Sequence, residues 1–362
     1  MTDPAGPATS TRLPRILAAA YALLVLYACL HPMSGWQDSG LPVFDYLVAP
    51  WPRYYRVEDL VLNVLGYVPL GFLLVPALGW RAWPWRSLAT ATLVAGLLSL
   101  SIETTQHFLP SRVASNLDLG CNLLGAALGA FAGLFWGHRL FHEHGGLVGL
   151  RTRLIIPGRS GDLGLVLLGL WLLAQLMPES PLFGSGDIRE ALGLVTPLSF
   201  DAGRFIQLEA VQVACSLVAI ALFARCIMLD PALWPVAGLI ALALLAKTLA
   251  TASFLVPGSP TAWLTPGSGA GLVAGLLLLL AALRLPRIQQ HALAGITLLI
   301  ATTVGNLIPD NPYLALDLQF ETRGNFLNFH GLTQVTAAAW PFVALGYLSA
   351  LGLWRGAHLS ER

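Results

Sequence analysis

The chain has 362 residues, and its 20 Lys and Arg plus 19 Asp and Glu make only 11% of it, where soluble domains carry about 25%. With 56% hydrophobic residues and a mean hydropathy of +0.69, polar groups are too few to cover a water-facing globule, which excludes a soluble protein. A net charge of +1 without a basic block excludes a nucleic-acid partner.

A membrane-crossing helix takes about 20 mostly apolar residues. Ten such segments are predicted, at 14–31, 60–79, 88–108, 118–137, 162–178, 209–228, 233–255, 270–285, 290–308 and 332–354. The fold class is therefore all-α, a polytopic transmembrane bundle. With the N-terminus inside, the inner segments hold 13 Arg and the outer ones 6, the asymmetry that retains basic residues on the cytoplasmic side. Both termini are then cytoplasmic. Arg12 and Arg15 precede the apolar run of the first segment, but bulky Tyr27 argues against a cleavage site near Cys29, so this is read as an uncleaved span. Domain organisation follows as a four-span module over 1–140, a basic cytoplasmic loop over 141–161 and a six-span region over 162–362.

Ionisable residues at membrane depth are costly, and each is a functional hypothesis with a partner to be named. The second span enters with Asp59 and Asn63, four apart on one helix face, and carries Pro69 and Gly71 in its middle, which suggest a kink. Ser99, Glu103 and Gln106 share a face near the outer end of the third. After Arg112 in the outer loop, the fourth re-enters with Asp118 and Asn122, again four apart, followed by Gly125, Gly129 and Gly133, a small-residue face for close helix packing. Asp59, Asn63, Glu103, Gln106, Arg112, Asp118 and Asn122 thus gather at one depth. Three carboxylates and one guanidinium cannot all be ionised and dry, so a second cation, a shared proton or water is required. The plain alternative is structural: Asp118 caps the fourth helix and Asn122 bonds across it.

Cys29, Cys121, Cys215 and Cys226 form no C-x-x-C pair, and His138, His142 and His144 read as interfacial residues rather than zinc ligands, so no metal centre or cofactor is expected. The only lysine, Lys247, lies inside the seventh span. Phe254-Leu255-Val256-Pro257 before Gly271-x3-Gly275 echoes Phe108-Leu109-Pro110 before Gly125-x3-Gly129 and leaves a diverged duplication open. In that reading Lys247 supplies the missing cation to Glu103 or Asp118; in the other it snorkels to the outer surface. The outer loop 309–330 is polar, with Asp310, Asp317, Glu321 and Arg323, and reads as either a cover for a site or a solvated connector.

In order, Asp59-x3-Asn63-x5-Pro69-Leu70-Gly71, Ser99-x2-Ile102-Glu103-x2-Gln106, Arg112, Asp118-x3-Asn122 and Gly125-x3-Gly129 resemble the signature of VanZ-like membrane proteins, over residues 14–140. The family takes its name from a protein of glycopeptide-resistance clusters associated with lowered teicoplanin sensitivity. The resemblance implies an integral, multi-pass protein of the bacterial inner membrane with a role in the cell envelope. The chain departs from the short members by everything beyond this module, including six further predicted spans.

Three functions stay open. One is an envelope protein whose outer cluster binds a glycopeptide or lipid-linked cell-wall precursor, the bilayer being its other partner. Another is a membrane-embedded enzyme in which Glu103 exchanges a proton and Arg112 holds a lipid head group, although no phosphate loop, H-E-x-x-H or nucleophile elbow occurs. The third is a transporter, disfavoured because the polar groups lie at one surface rather than at the midplane.

Overall fold

The computed structural model describes residues 13–30, 33, 35–38, 40, 42–51, 57–79, 83–141, 145–194, 198–230, 232–254, 260–309 and 330–360. Among these the secondary structure is helical, apart from an isolated bridge between Ile155 and Met228. The chain divides into two compact units, Met1–Thr152 and Arg153–Arg362.

The first unit contains α1 (Leu13–Leu30), α2 (Asp45–Val48), α3 (Val57–Leu78), α4 (Pro84–Gln106) and α5 (Asn116–Phe141). Local chemistry fixes their ends. Gly79 follows α3 at φ +69°, the left-handed conformation that stops a helix. Pro84 opens α4, where its missing N–H costs nothing. Ser115 caps α5: its Oγ accepts from Leu117 N at 3.2 Å and Asp118 N at 3.4 Å. Asp118 is therefore not the cap; it sits in the first turn, where a carboxylate complements the helix dipole.

α3 lies along α5 so closely that side chains are excluded from parts of the seam. A Cβ on Gly125 would overlap the Val64 backbone, one on Gly129 the Val68 backbone, and one on Gly71 the Ala126 backbone. Gly133 against Phe72 and Gly137 against Pro76 continue the seam in four-residue steps on both helices, so rows at i, i+4 interlock. α3 is continuous through Pro69 and Pro76. α1 and α4 close the bundle around a core that includes Val25, Leu70, Ile102 and Leu109.

Between the units, the segment 141–161 is not simply a loop: Gly146–Leu154 forms α6. The second unit comprises α7 (Arg159–Ala174), α8 (Arg189–Leu192), α9 (Ala202–Cys226), α10 (Trp234–Phe254), α11 (Pro266–Ala282), α12 (Arg287–Leu307) and α13 (His330–Ser360). α9 is its axis, buried along almost its whole inner half, with α11 and α12 packed on it. Trp340 Nε1 donates to Leu167 O at 2.6 Å and Tyr347 Oη to Ser160 O at 2.7 Å, tying α13 to α7.

Lys247 fits neither sequence expectation. It is 1% exposed, so it does not snorkel, and its ammonium donates to Met177 O (2.6 Å), Pro178 O (3.4 Å), Ser180 O (2.5 Å) and Ser180 Oγ (3.2 Å), all within its own unit.

Among the described residues seven helices, α1, α3, α4, α5, α9, α10 and α13, are long and apolar enough to cross a membrane, against ten predicted segments. α7 and α11 reach only 16 and 17 residues. α12 has 21, but Gln289, Gln290, His291, Thr302, Thr303 and Asn306 dilute its apolar character. The polar loop residues 310–329 lie outside the described residues, as do the His142 and His144 positions.

The seam generates opposite expectations for two glycines of one helix. Gly129→Ala is expected to destabilise the purified protein by about 2 kcal/mol, the range for overpacking against backbone. Gly120→Ala, on an open face with nothing within 4 Å, is expected to stabilise it by about 0.5–1 kcal/mol through helix propensity. Denaturant titration of helicity in detergent reads both; equal effects would refute the seam.

Candidate functional site

The close approach of α3 and α5 brings their polar first turns together. Asn63 Nδ2 donates to Asp118 Oδ1 at 2.7 Å, a bond between residues 55 apart in sequence. One turn further along, Asn122 Nδ2 of α5 donates to Ser99 Oγ of α4 at 2.9 Å. These two bonds join three helices at adjacent levels.

Glu103 comes from the last turn of α4 and is 4% exposed. The loop after α4 folds back over it, and Ser115 N donates to Glu103 Oε2 at 2.9 Å. Ser115 therefore holds the carboxylate with its backbone and starts α5 with its side chain. The loop also presents Arg112, half-buried, whose guanidinium is pulled below its usual pKa by burial while nearby Cys29 opposes that shift. Gln106 turns away from the carboxylates and donates to Cys29 O at 2.9 Å, fastening α4 to the end of α1.

Cys29 lies within electrostatic reach of Glu103, Arg112 and Asp118, so α1 contributes to the cluster. Tyr67, one turn below Asn63 on α3 and 3% exposed, sits beside Ser99, and its hydroxyl finds no hydrogen-bonding geometry. Asn122 Oδ1, on a side chain 5% exposed, likewise has no partner. Buried polar atoms are normally satisfied, and each orphan costs about 1–3 kcal/mol.

Of the sequence candidates, Asn63, Glu103, Arg112, Asp118 and Asn122 thus converge, and Gln106 serves α1. Asp59 lies in α3, but its side chain falls outside the described residues. Ser115, Cys29 and Tyr67 are additions. The pattern Ser115-x-x-Asp118 ahead of an apolar run is a readable capping signal; a lone Cys at the end of one apolar segment and a lone Tyr inside another carry none.

An amide acceptor, a phenol, a carboxylate and a guanidinium at one end of a helical bundle can bind a ligand bearing both donors and acceptors. Among the described residues no group of three or more His, Cys, Asp or Glu is placed to hold a metal ion.

Residues 18–137 match the VanZ/LLP1 family model, a range that contains every residue of the cluster. No curated protein and no solved structure matches the chain. The second unit lies outside the family match, which identifies a VanZ-like domain in the first unit of this multi-helical membrane chain.

Proposed function

We propose that the chain is a cell-envelope protein of the bacterial inner membrane whose polar cluster faces outward and binds a hydrogen-bonding ligand, either a glycopeptide or a lipid-linked cell-wall precursor. One observation carries this reading: Glu103 is buried with a single hydrogen bond, from a backbone N–H, beside the orphaned Asn122 Oδ1 and Tyr67 hydroxyl. A purely structural cluster would be expected to satisfy its own members, as Asn63 and Asp118 do. Groups left short of partners at the end of a bundle suit an incoming ligand that completes them. The guanidinium of Arg112 in the overlying loop adds affinity for an anionic group such as a phosphate or carboxylate.

The outward assignment rests on orientation. Arg139 lies in the last turn of α5, at the end opposite the cluster, and Arg151, Arg153 and Arg159 follow it in sequence; short connections rich in Arg stay cytoplasmic. The cluster end of the first unit then faces the periplasmic or outer side, where glycopeptides and finished precursors are found.

Two outcomes are expected. In a deletion strain, the wild-type gene restores the parental teicoplanin sensitivity and extracted precursor-lipid profile, whereas Glu103→Gln behaves as the deletion; Asn122→Leu is expected to weaken ligand binding by about tenfold, the worth of one buried hydrogen bond. If Glu103→Gln complements as fully as wild type, the cluster is structural and this function is wrong. Second, a reporter enzyme active only outside the cytoplasm is expected to work when fused after Pro110 and to be silent after Arg139; the reverse pattern would turn the cluster to the cytoplasm.

A further inference from the structure

The second unit repeats the first in a fixed register, set by the step from Leu13, where α1 begins, to Arg159, where α7 begins. Shifted by that step, α3 starts within one residue of α9, and α2, α4 and α5 start within about four of α8, α10 and α11. Packing keeps the same step. Gly125 and Gly129 of α5 press on Val64 and Val68 of α3, while Gly271 and Gly275 of α11 press on Ala210 and Ala214 of α9, every one of the four displaced by the identical offset. The polar clasp recurs too. Asn63 of α3 holds Asp118 near the start of α5. Its equivalent at that offset, Glu209 of α9, accepts a 2.6 Å hydrogen bond from Thr265, the N-cap of α11. Chance can produce scattered glycines in apolar helices, but it does not preserve the partner of each glycine; the clasp keeps its position on α9, and its partner Thr265 lies one residue past Leu264, the equivalent of Asp118.

We propose that residues 159–282 are a diverged second copy of the VanZ-like module, and that the clasp of this copy has become a binding site for a cation coordinated by oxygen, an alkali metal ion or a primary ammonium group. Glu209 is 4% exposed and seated at the start of α11, where a Cβ on Gly267 would collide with its Oε2 and the backbone N–H of Ser268 donates to its carboxylate beside Thr265. Among the described residues no basic side chain forms an ion pair with it, and Lys247 is taken up by the carbonyls of 177–180. One turn along the same face of α9, Gln212 is 1% exposed; its Nε2 donates to Ser216 Oγ at 3.3 Å and its Oε1 has no partner. Gln175, which the repeat pairs with Cys29 of the first cluster, is fully buried, donates from Nε2 to Trp171 O at 3.2 Å and also leaves Oε1 without a partner. Among the described residues both unspent side-chain atoms of this copy are thus acceptors, and the charge at its clasp is a carboxylate. The first cluster mixes a cation, donors and acceptors; this one calls for positive charge and oxygen coordination.

The test uses the full chain in phosphatidylcholine nanodiscs. The thermal midpoint is followed as sodium chloride replaces choline chloride at constant ionic strength, and separately as phosphatidylethanolamine replaces phosphatidylcholine. A saturable rise is expected in the sodium arm for a metal ion or in the lipid arm for an ammonium, since a ligand of the native state stabilises by mass action. Glu209→Gln should abolish the rise. Gln212→Leu should move its saturation to about tenfold higher concentration, and Asp230→Asn, an exposed carboxylate elsewhere in the unit, should leave it unchanged. A midpoint indifferent to both cation and lipid would mean that Glu209 is a helix cap and overturns the proposal, as would a rise that survives Glu209→Gln. Should Glu209→Gln fail to fold, an unshifted saturation in Gln212→Leu overturns it alone.

Discussion

Everything polar in the first unit depends on how closely two backbones approach. In a bilayer, apolar side chains gain little by leaving lipid for one another, so helix pairs are held by contact area and by bonds that only short distances permit. Gly125 and Gly129 remove the side chains that would keep α5 away from Val64 and Val68, and Gly71 does the same from the α3 side. Only then can short side chains such as Asn63 and Asp118 reach each other directly. Replacing these glycines would loosen the packing and the cluster in one step.

The same arrangement separates groups that hold the bundle together from groups that remain for chemistry. Asn63 with Asp118, Ser99 with Asn122 Nδ2, and Gln106 with Cys29 O each join two helices. Glu103 is different, because its hydrogen bond comes from the loop that enters α5, so the carboxylate and the loop bearing Arg112 position one another. A ligand that draws on Glu103 would therefore act on the overlying loop as well.

Much of the first unit was legible because its signals are periodic. Four apolar segments with polar residues at i and i+4 near one end suffice to place Asn63, Glu103, Asp118 and Asn122 on converging faces, and the small-residue stripe names the seam. What stayed hidden is what has no period. Ser115 caps α5 from a loop, Cys29 belongs to another helix, and Tyr67 reads as one more apolar residue. In the second unit, Glu209 is the first residue of a predicted span, and it is buried because α11 starts directly against it. The ten predicted segments and the seven helices that meet the length and hydropathy of a span among the described residues differ at α7 and α11, which are shorter than the apolar runs they belong to, and at α12, whose Gln, His, Thr and Asn residues dilute its apolar character.

Lys247 and the short helix α7 explain one another. Sixteen residues of helix rise about 24 Å, less than the roughly 30 Å of hydrocarbon in a bilayer. The helix is followed by residues 175–188, irregular chain that includes Phe183 at φ +59° and is partly buried. Buried non-helical backbone is tolerable only if protein satisfies its polar groups. The Asn306 side chain serves Gly186 O and Ile188 N, Ala337 O accepts from Gly186 N, and one ammonium with three rotatable donors serves Met177, Pro178 and Ser180 together. Arginine's planar fork could not gather three carbonyls converging on a point, which gives a physical reason for a chain otherwise committed to arginine to keep a lysine here. The residue that looked most like a charge in search of a carboxylate is the end of a helix completed by a side chain.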